Sequence, residues 1–220
     1  MISLVLDHLW QSSLFLAAAG LITLALSHNS AGARFWLWFQ ANDSALSTVQ
    51  TAREEIASEL ARELHRIHPD LTFEFGPSEN GVRDFVVSAD GSREAFPAVI
   101  ALGHAAPAMA HWRVIMFRPP RPDVTQIRIG DIELDAKTVE FIAEPDGPLT
   151  GLTLSIPGYK ATPHKVYEQA AYILLDGMLG EYTVETRVGF IELTLPANRR
   201  PGKWRPLTAI QEAVSAQAPP

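Results

Sequence analysis

Charge is absent from one stretch of the chain and dense in the rest, and this division constrains the fold more than any motif does. Asp7 and Arg34 bracket 26 residues without a formal charge when histidine is neutral, and all 18 lysines and arginines lie at or beyond Arg34. After residue 33 the chain holds 18 basic and 24 acidic side chains, so the net charge of −7 belongs almost wholly to that part. A mean hydropathy of +0.04 is thus the average of an apolar leader and an ordinary folded body.

Within the leader, Leu9 to Leu26 reads LWQSSLFLAAAGLITLAL. Eighteen helical residues reach ~27 Å, close to the ~30 Å of a bilayer's hydrocarbon core. Trp10 suits one membrane interface, while Arg34, Trp36 and Trp38 suit the other. A single transmembrane helix over residues 9–26 is the favoured reading. A cleaved signal peptide is a second, with Ala31-Gly32-Ala33 as an A-x-A-like site but no basic residue ahead of the apolar run. A buried helix of a soluble, cytoplasmic protein is the third. With Arg34 and Arg53 following the span and no basic residue preceding it, the positive-inside rule places the C-terminal part in the cytoplasm, at the inner membrane.

The segments LDHLWQSSLFLAAAGLITLAL and ARFWLWF, over residues 4–40, resemble the first membrane helix and basic loop of the antirepressor-type, beta-lactam-sensing membrane metallopeptidases. The resemblance implies an outside N-terminus. That family continues to an H-E-x-x-H zinc site; this sequence contains no such motif, so neither peptidase activity nor zinc ligands carry over.

Residues 34–50 read as an aromatic interfacial segment and a polar hinge. The globular body is expected over 51–196 and a Pro/Arg/Ala-rich, partly disordered tail over 197–220. Ile56, Leu60, Leu64 and Ile67 form one stripe of a helix that Pro69 ends. Leu71 to Phe75 alternates as a strand, and Asn80-Gly81 turns it into a hairpin with Val82 to Ala89. Ser92 is a candidate cap for a helix whose regular part starts near Phe96 with Pro97 in the first turn. His111 to Phe117 is apolar on both faces and reads as a central strand. Strands follow near 124–129, 132–134, 138–143 and 152–156. Thr162 is placed as the cap, and Pro163 at the first position, of a helix that Gly180 stops. Tyr182 to Leu195 reads as one long or two short strands, with Gly189 as a bulge.

This order lacks regular βαβ alternation. It predicts an α+β fold: a mixed, largely antiparallel sheet with helices mainly on one face, preceded by one N-terminal hydrophobic helix. Two halves divided near Pro119 fit the order, although no sequence repeat is evident. The stretches LTFEFGP, RDFVVSADGSREAFPAV, HWRVIMFRPPRP, GLTLSIPGY and ILLDGMLGEYTVETRVGFIEL resemble a bacterial domain family without assigned function, over residues 35–195. That resemblance implies a shared fold and brings no catalytic residue or ligand.

The absence of cysteine removes thiolate catalysis, Cys-ligated zinc and iron–sulfur clusters. The acidic balance argues against nucleic acid as a partner. His65-x-x-His68-Pro69-Asp70 is the best metal-like cluster, although two histidines in the last turn of a helix are also explained by its dipole. His104 and His111 flank a loop and could form a pair, and Asp176, Glu181 and Glu185 could provide acid/base carboxylates around a helix end, a nonspecific grouping. G-x-S-x-G, G-x-G-x-x-G and the P-loop motif are absent, and no cofactor is implied. Arg199, Arg200, Lys203 and Arg205 could meet an anionic leaflet, or be a solvated tail. Arg118-Pro119-Pro120-Arg121-Pro122 reads as a stiff connector. The leading expectation is a membrane-anchored, non-enzymatic interaction or sensory module with an unidentified protein partner. An enzyme with a site assembled from distant residues, metal-dependent through His65, His68 and Asp70, is the alternative, as is a soluble domain carrying a fused leader.

Overall fold

The computed structural model describes residues 31–47, 53–121, 123 and 125–216. They form two compact units, the first ending at Met116 and the second beginning at Phe117. The division falls close to Pro119. The helix expected over residues 9–26, with Trp10, lies outside the described residues. Among those described, no helix is long and apolar enough to cross a membrane.

The first unit begins with helix α1, residues 31–41, followed by α2 (Asp43–Ser47) and α3 (Arg53–His65). Phe35, Trp36 and Phe39 of α1 are buried, and the Trp36 indole N–H donates to the Leu102 carbonyl at 2.9 Å. Trp36 is therefore a core residue, not the membrane-interface residue expected from its place after the leader. The aromatic run of α1 is explained by the rings it meets, because α1 inserts them into an aromatic core. Arg34 is exposed and Trp38 half-buried.

Strands β1 (Thr72–Glu79) and β2 (Val82–Ser88) form the expected antiparallel hairpin. Asn80 and Gly81 turn it with φ of 52° and 81°, the left-handed pair that a two-residue loop demands. The register slips between Phe75 and Ser78, where Gly76-Pro77 supplies an extra residue and no second N–H for the ladder. A 3₁₀ turn, Arg93–Ala95, leads into α4 (Phe96–His104), with Pro97 in the first turn of the helix as expected. Ser92 makes no capping bond; its hydroxyl donates to Asp70 instead. Strand β3 (Trp112–Met116) then pairs parallel to β2. The order β1-β2-β3 puts β3 at the end of its sheet rather than at the centre. Helix α4 covers the face that carries Met116, packing so close that a Cβ on Gly103 would lie 2.2 Å from the Met116 Cγ.

The second unit opens with the hairpin β4 (Gln126–Ile129) and β5 (Ile132–Asp135). A second antiparallel pair, β6 (Glu140–Asp146) and β7 (Leu149–Ser155), follows. Helix α5 (His164–Leu179) packs on β4 and β5 and buries Ala170, Leu174 and Met178. Thr162 is not its cap: Pro163, extended at φ −89° and ψ 99°, precedes the helix without a side-chain capping bond. Gly180, at φ 81°, stops α5 as expected.

Beyond it the structure departs from the sequence reading twice. Glu181–Arg187 is a helix, α6, and only β8 (Val188–Thr194) is a strand, parallel to β7. The register of β8 slips next to Gly189, where the bulge was expected. A Cβ on the facing Gly151 would come within 2.2 Å of the Phe190 ring, so this crossing needs glycine. The tail, expected to be partly disordered, is built in. Strand β9 (Arg205–Pro206) pairs with β6, and α7 (Ile210–Ala216) follows. Leu207, Ile210, Ala213 and Val214 join the core that contains Phe141, Leu152 and Leu154. A seven-residue helix is too short to score by periodicity, which is why this segment read as loop.

The sheets are mixed and mostly antiparallel, as an α+β chain requires. Both units also share one local plan: an antiparallel hairpin, a helical crossover, and a strand parallel to the hairpin's second strand. The exits from β2 and β7 correspond in detail. Ser88-Ala89-Asp90-Gly91 and Ser155-Ile156-Pro157-Gly158 each bury their serine and following residue completely or almost so. Each then closes a turn, with Ser92 N–H donating to Ala89 and Tyr159 N–H to Ile156. Gly91 and Gly158 supply the positive φ, at 82° and 74°. The repeat is one of topology and turn chemistry.

Candidate functional site

The metal-like cluster is dispersed into turn-forming bonds. His68 Nδ1 accepts from the Asp70 N–H at 3.3 Å, and the Asp70 carboxylate accepts from the Ser92 hydroxyl at 2.7 Å. His65 is the last residue of α3 and is exposed. Among the described residues no group of three or more His, Asp or Glu is arranged to hold a metal ion. Of the histidines near the α4–β3 loop, His111 lies 3.4 Å from Asp43, whose other carboxylate oxygen accepts from the Trp112 indole. Trp38 lines a surface cleft of about 300 Å³ with Glu59, Arg62, Glu63 and Arg66 of α3.

The carboxylates Asp176, Glu181 and Glu185 are brought together, and the corner between α5 and α6 is what does it. Gly180 turns the chain so that the last turn of α5 and the first of α6 face the same segment, Arg118 to Arg121. The Arg118 Nε–H donates to Asp176 at 2.8 Å. The Arg118 backbone N–H donates to the Glu181 carboxylate at 3.0 Å, and the Glu181 N–H returns a bond to the Arg118 carbonyl. The Arg121 N–H donates to the Gly177 carbonyl at 2.6 Å. Glu181 is wholly buried and Asp176 is 7% exposed, so these are charge-assisted bonds in a low-dielectric setting. A side chain at position 180 would meet Pro120 at 2.9 Å, a second reason besides φ for glycine there.

Tyr172, one helical turn before Asp176, donates its hydroxyl to Glu185. Burial, and after it the bond to Glu185, pushes the Tyr172 phenol far above the ordinary tyrosine range and holds it neutral. The proline-rich segment is thus strapped to the second unit by the very acids the sequence offered for acid–base work. That use was not legible, since Arg118 stands 58 residues from Asp176 and 63 from Glu181.

The basic cluster of the tail has partners too. Arg199 donates to the Ser155 hydroxyl at 2.8 Å and pairs with Glu140, its guanidinium lying over Trp204. Arg200 bonds the Thr153 hydroxyl and pairs with Glu144 at 2.9 Å. Arg205 pairs with Glu212 at 2.8 Å. Of the four cations offered to a lipid surface, Arg199 and Arg200 tie the tail to β6 and β7, and Arg205 pairs within the tail, with Glu212 of α7. The expectation of a free basic tail missed this because the acids that match Arg199 and Arg200 lie on β6, more than 50 residues earlier.

No family model, no curated protein and no solved structure matches this chain.

Proposed function

We propose that the protein is a non-catalytic interaction or sensory module, carried at the inner membrane by residues 9–26 with its folded units in the cytoplasm. The observation that carries the non-catalytic part is the strap at Arg118. The most buried carboxylates of the described residues, Asp176 and Glu181, hold backbone and side chain of their own unit. A carboxylate kept for chemistry is usually held at a cost to stability, and removing it stabilises the fold. One that serves as a strap has the opposite signature. Glu181→Ala removes the acceptor of the Arg118 N–H in a buried setting and is expected to cost about 1–3 kcal/mol in a denaturant titration. Stability that rises on this substitution would instead mark Glu181 as a functional acid.

The membrane part is supported by the uncharged run between Asp7 and Arg34, by the basic residues that follow it, and by the likeness of residues 4–40 to the first helix of the membrane metallopeptidases. Leu37, on α1 just after this run, is 68% exposed between the buried Trp36 and the half-buried Trp38. After a carbonate wash of membranes the chain is expected in the pellet. Its full release into the supernatant would overturn the anchor.

A further inference from the structure

A second cluster of polar side chains lies at the other end of α5. Tyr159, His164 and Glu168 form a continuous row: the Tyr159 hydroxyl is hydrogen-bonded to His164 Nδ1 at 2.6 Å, and His164 Nε2 lies at ion-pair distance, 2.9 Å, from the Glu168 carboxylate. The carboxylate beside Nε2 favours the tautomer with its hydrogen on that nitrogen, because an ionised carboxylate only accepts. In the neutral ring Nδ1 then holds a lone pair, and the phenol donates to it. This is the order of a nucleophile, a base and a group that orients the base.

The local fold holds the phenol in place. Gly158, at φ 74°, makes the turn that brings Tyr159 back toward the helix, and the Tyr159 N–H closes it on Ile156. The Tyr167 hydroxyl donates to the Gly158 carbonyl at 2.9 Å, and its ring meets that of Tyr159 edge-on at 5.2 Å. His164 and Glu168 are one helical turn apart on α5, with side chains 45% and 51% exposed, so a reagent in solution can reach the row. Tyr172, by contrast, faces the carboxylate of Glu185, which stabilises no developing imidazolium and raises the cost of a phenolate.

We propose that Tyr159 is an acylation site, taking an acyl group from an activated ester with His164 as its base. The Tyr159 oxygen bonds the acyl carbon while the bond from that carbon to the ester's leaving oxygen breaks. The phenol proton passes to His164 Nδ1, and the Glu168 carboxylate stabilises the imidazolium through Nε2. The leaving alcohol departs as its anion, and His164 returns the proton to solvent. One acyl group is transferred per chain, so the inference is independent of the non-catalytic reading and outlives its failure.

The test is treatment of the full-length chain with p-nitrophenyl acetate, reading p-nitrophenolate release and the acetylated residue by peptide mass spectrometry. Tyr159 is expected to acetylate ten-fold or more faster than Tyr182, the more exposed phenol at 50% exposure, given that a positioned base contributes roughly 100-fold or more. His164→Ala should remove that advantage, Glu168→Gln should reduce it, and Tyr159→Phe should abolish the fast phase. All three positions are at least partly exposed, and unchanged circular dichroism checks that the variants fold. Equal rates at Tyr159 and Tyr182, or a Tyr159 rate unmoved by His164→Ala, would overturn the proposal.

Discussion

Removing residues 197–216 is expected to unfold the second unit rather than trim it. The segment looks dispensable by composition, yet it places Leu207, Ile210, Ala213 and Val214 in the core around Phe141, Leu152, Leu154 and Leu174. It also closes the sheet. Strand β9 pairs with Glu140 and Phe141, the Leu207 N–H donates to Val139, and the Gln211 amide donates to the Met178 carbonyl at 2.8 Å. Burying a Leu, Ile or Val side chain contributes about 1.5–3 kcal/mol, so the three largest alone supply roughly 5 kcal/mol or more. A whole domain is stable by about 5–15 kcal/mol. The truncated chain should therefore lose a large share of its far-ultraviolet circular dichroism and one cooperative melting transition. Ile210→Ala gives the graded version, with a loss of about 2–5 kcal/mol. A truncated chain that melts where the full one does would show that the tail is an ornament after all.

Phe85→Ala is the matching expectation for the first unit. Phe85 is fully buried on β2 and is the hub of its aromatic core. Its ring lies 4.7 Å from that of Phe39, 5.8 Å from Phe75, 6.2 Å from Phe35 and 6.5 Å from Trp112. Truncation removes the transfer free energy of the ring and leaves a cavity among large, stiff neighbours that cannot collapse into it. The expected cost is about 3–5 kcal/mol, accompanied by loss of the near-ultraviolet signal from Trp36 and Trp112. Phe85→Leu should cost much less, because it keeps most of the volume. A loss below about 1 kcal/mol for the alanine variant would mean that α1 does not pack as described, and would return Trp36 to the membrane-interface role expected from sequence.

What the sequence revealed and what it hid follow from how local each cause is. The α3 stripe through Leu64, the Asn80-Gly81 hairpin, the start of α4 at Phe96 and the Gly180 stop rest on neighbours within a few residues and appear where expected, while Ile67, the last residue of the expected stripe, lies in a turn beyond the helix end at His65. Helix α6 failed for the converse reason. Tyr182, Thr183, Val184 and Thr186 favour strand locally, but Glu181 is anchored to Arg118 from far along the chain and starts a helical turn there. The strap shows the same limit: three carboxylates were visible, and the arginine and backbone they serve were not. The Tyr159 row could have been half seen, since His164 and Glu168 stand at helical i,i+4 spacing. The turn that delivers the phenol to them carries no periodic signal.

The bond from the Trp36 indole to the carbonyl of Leu102 spans 66 residues. Chains are made at about 5–20 residues per second, so the acceptor follows its donor by roughly 3–13 s. Throughout that interval Phe35, Trp36 and Phe39 have emerged, next to the most apolar stretch of the sequence, without the strands that later shelter them. The nascent chain thus passes through a stage of exposed aromatic surface lasting seconds, long compared with collapse and helix formation. Whatever receives the chain as it leaves the ribosome meets it in that sticky form first.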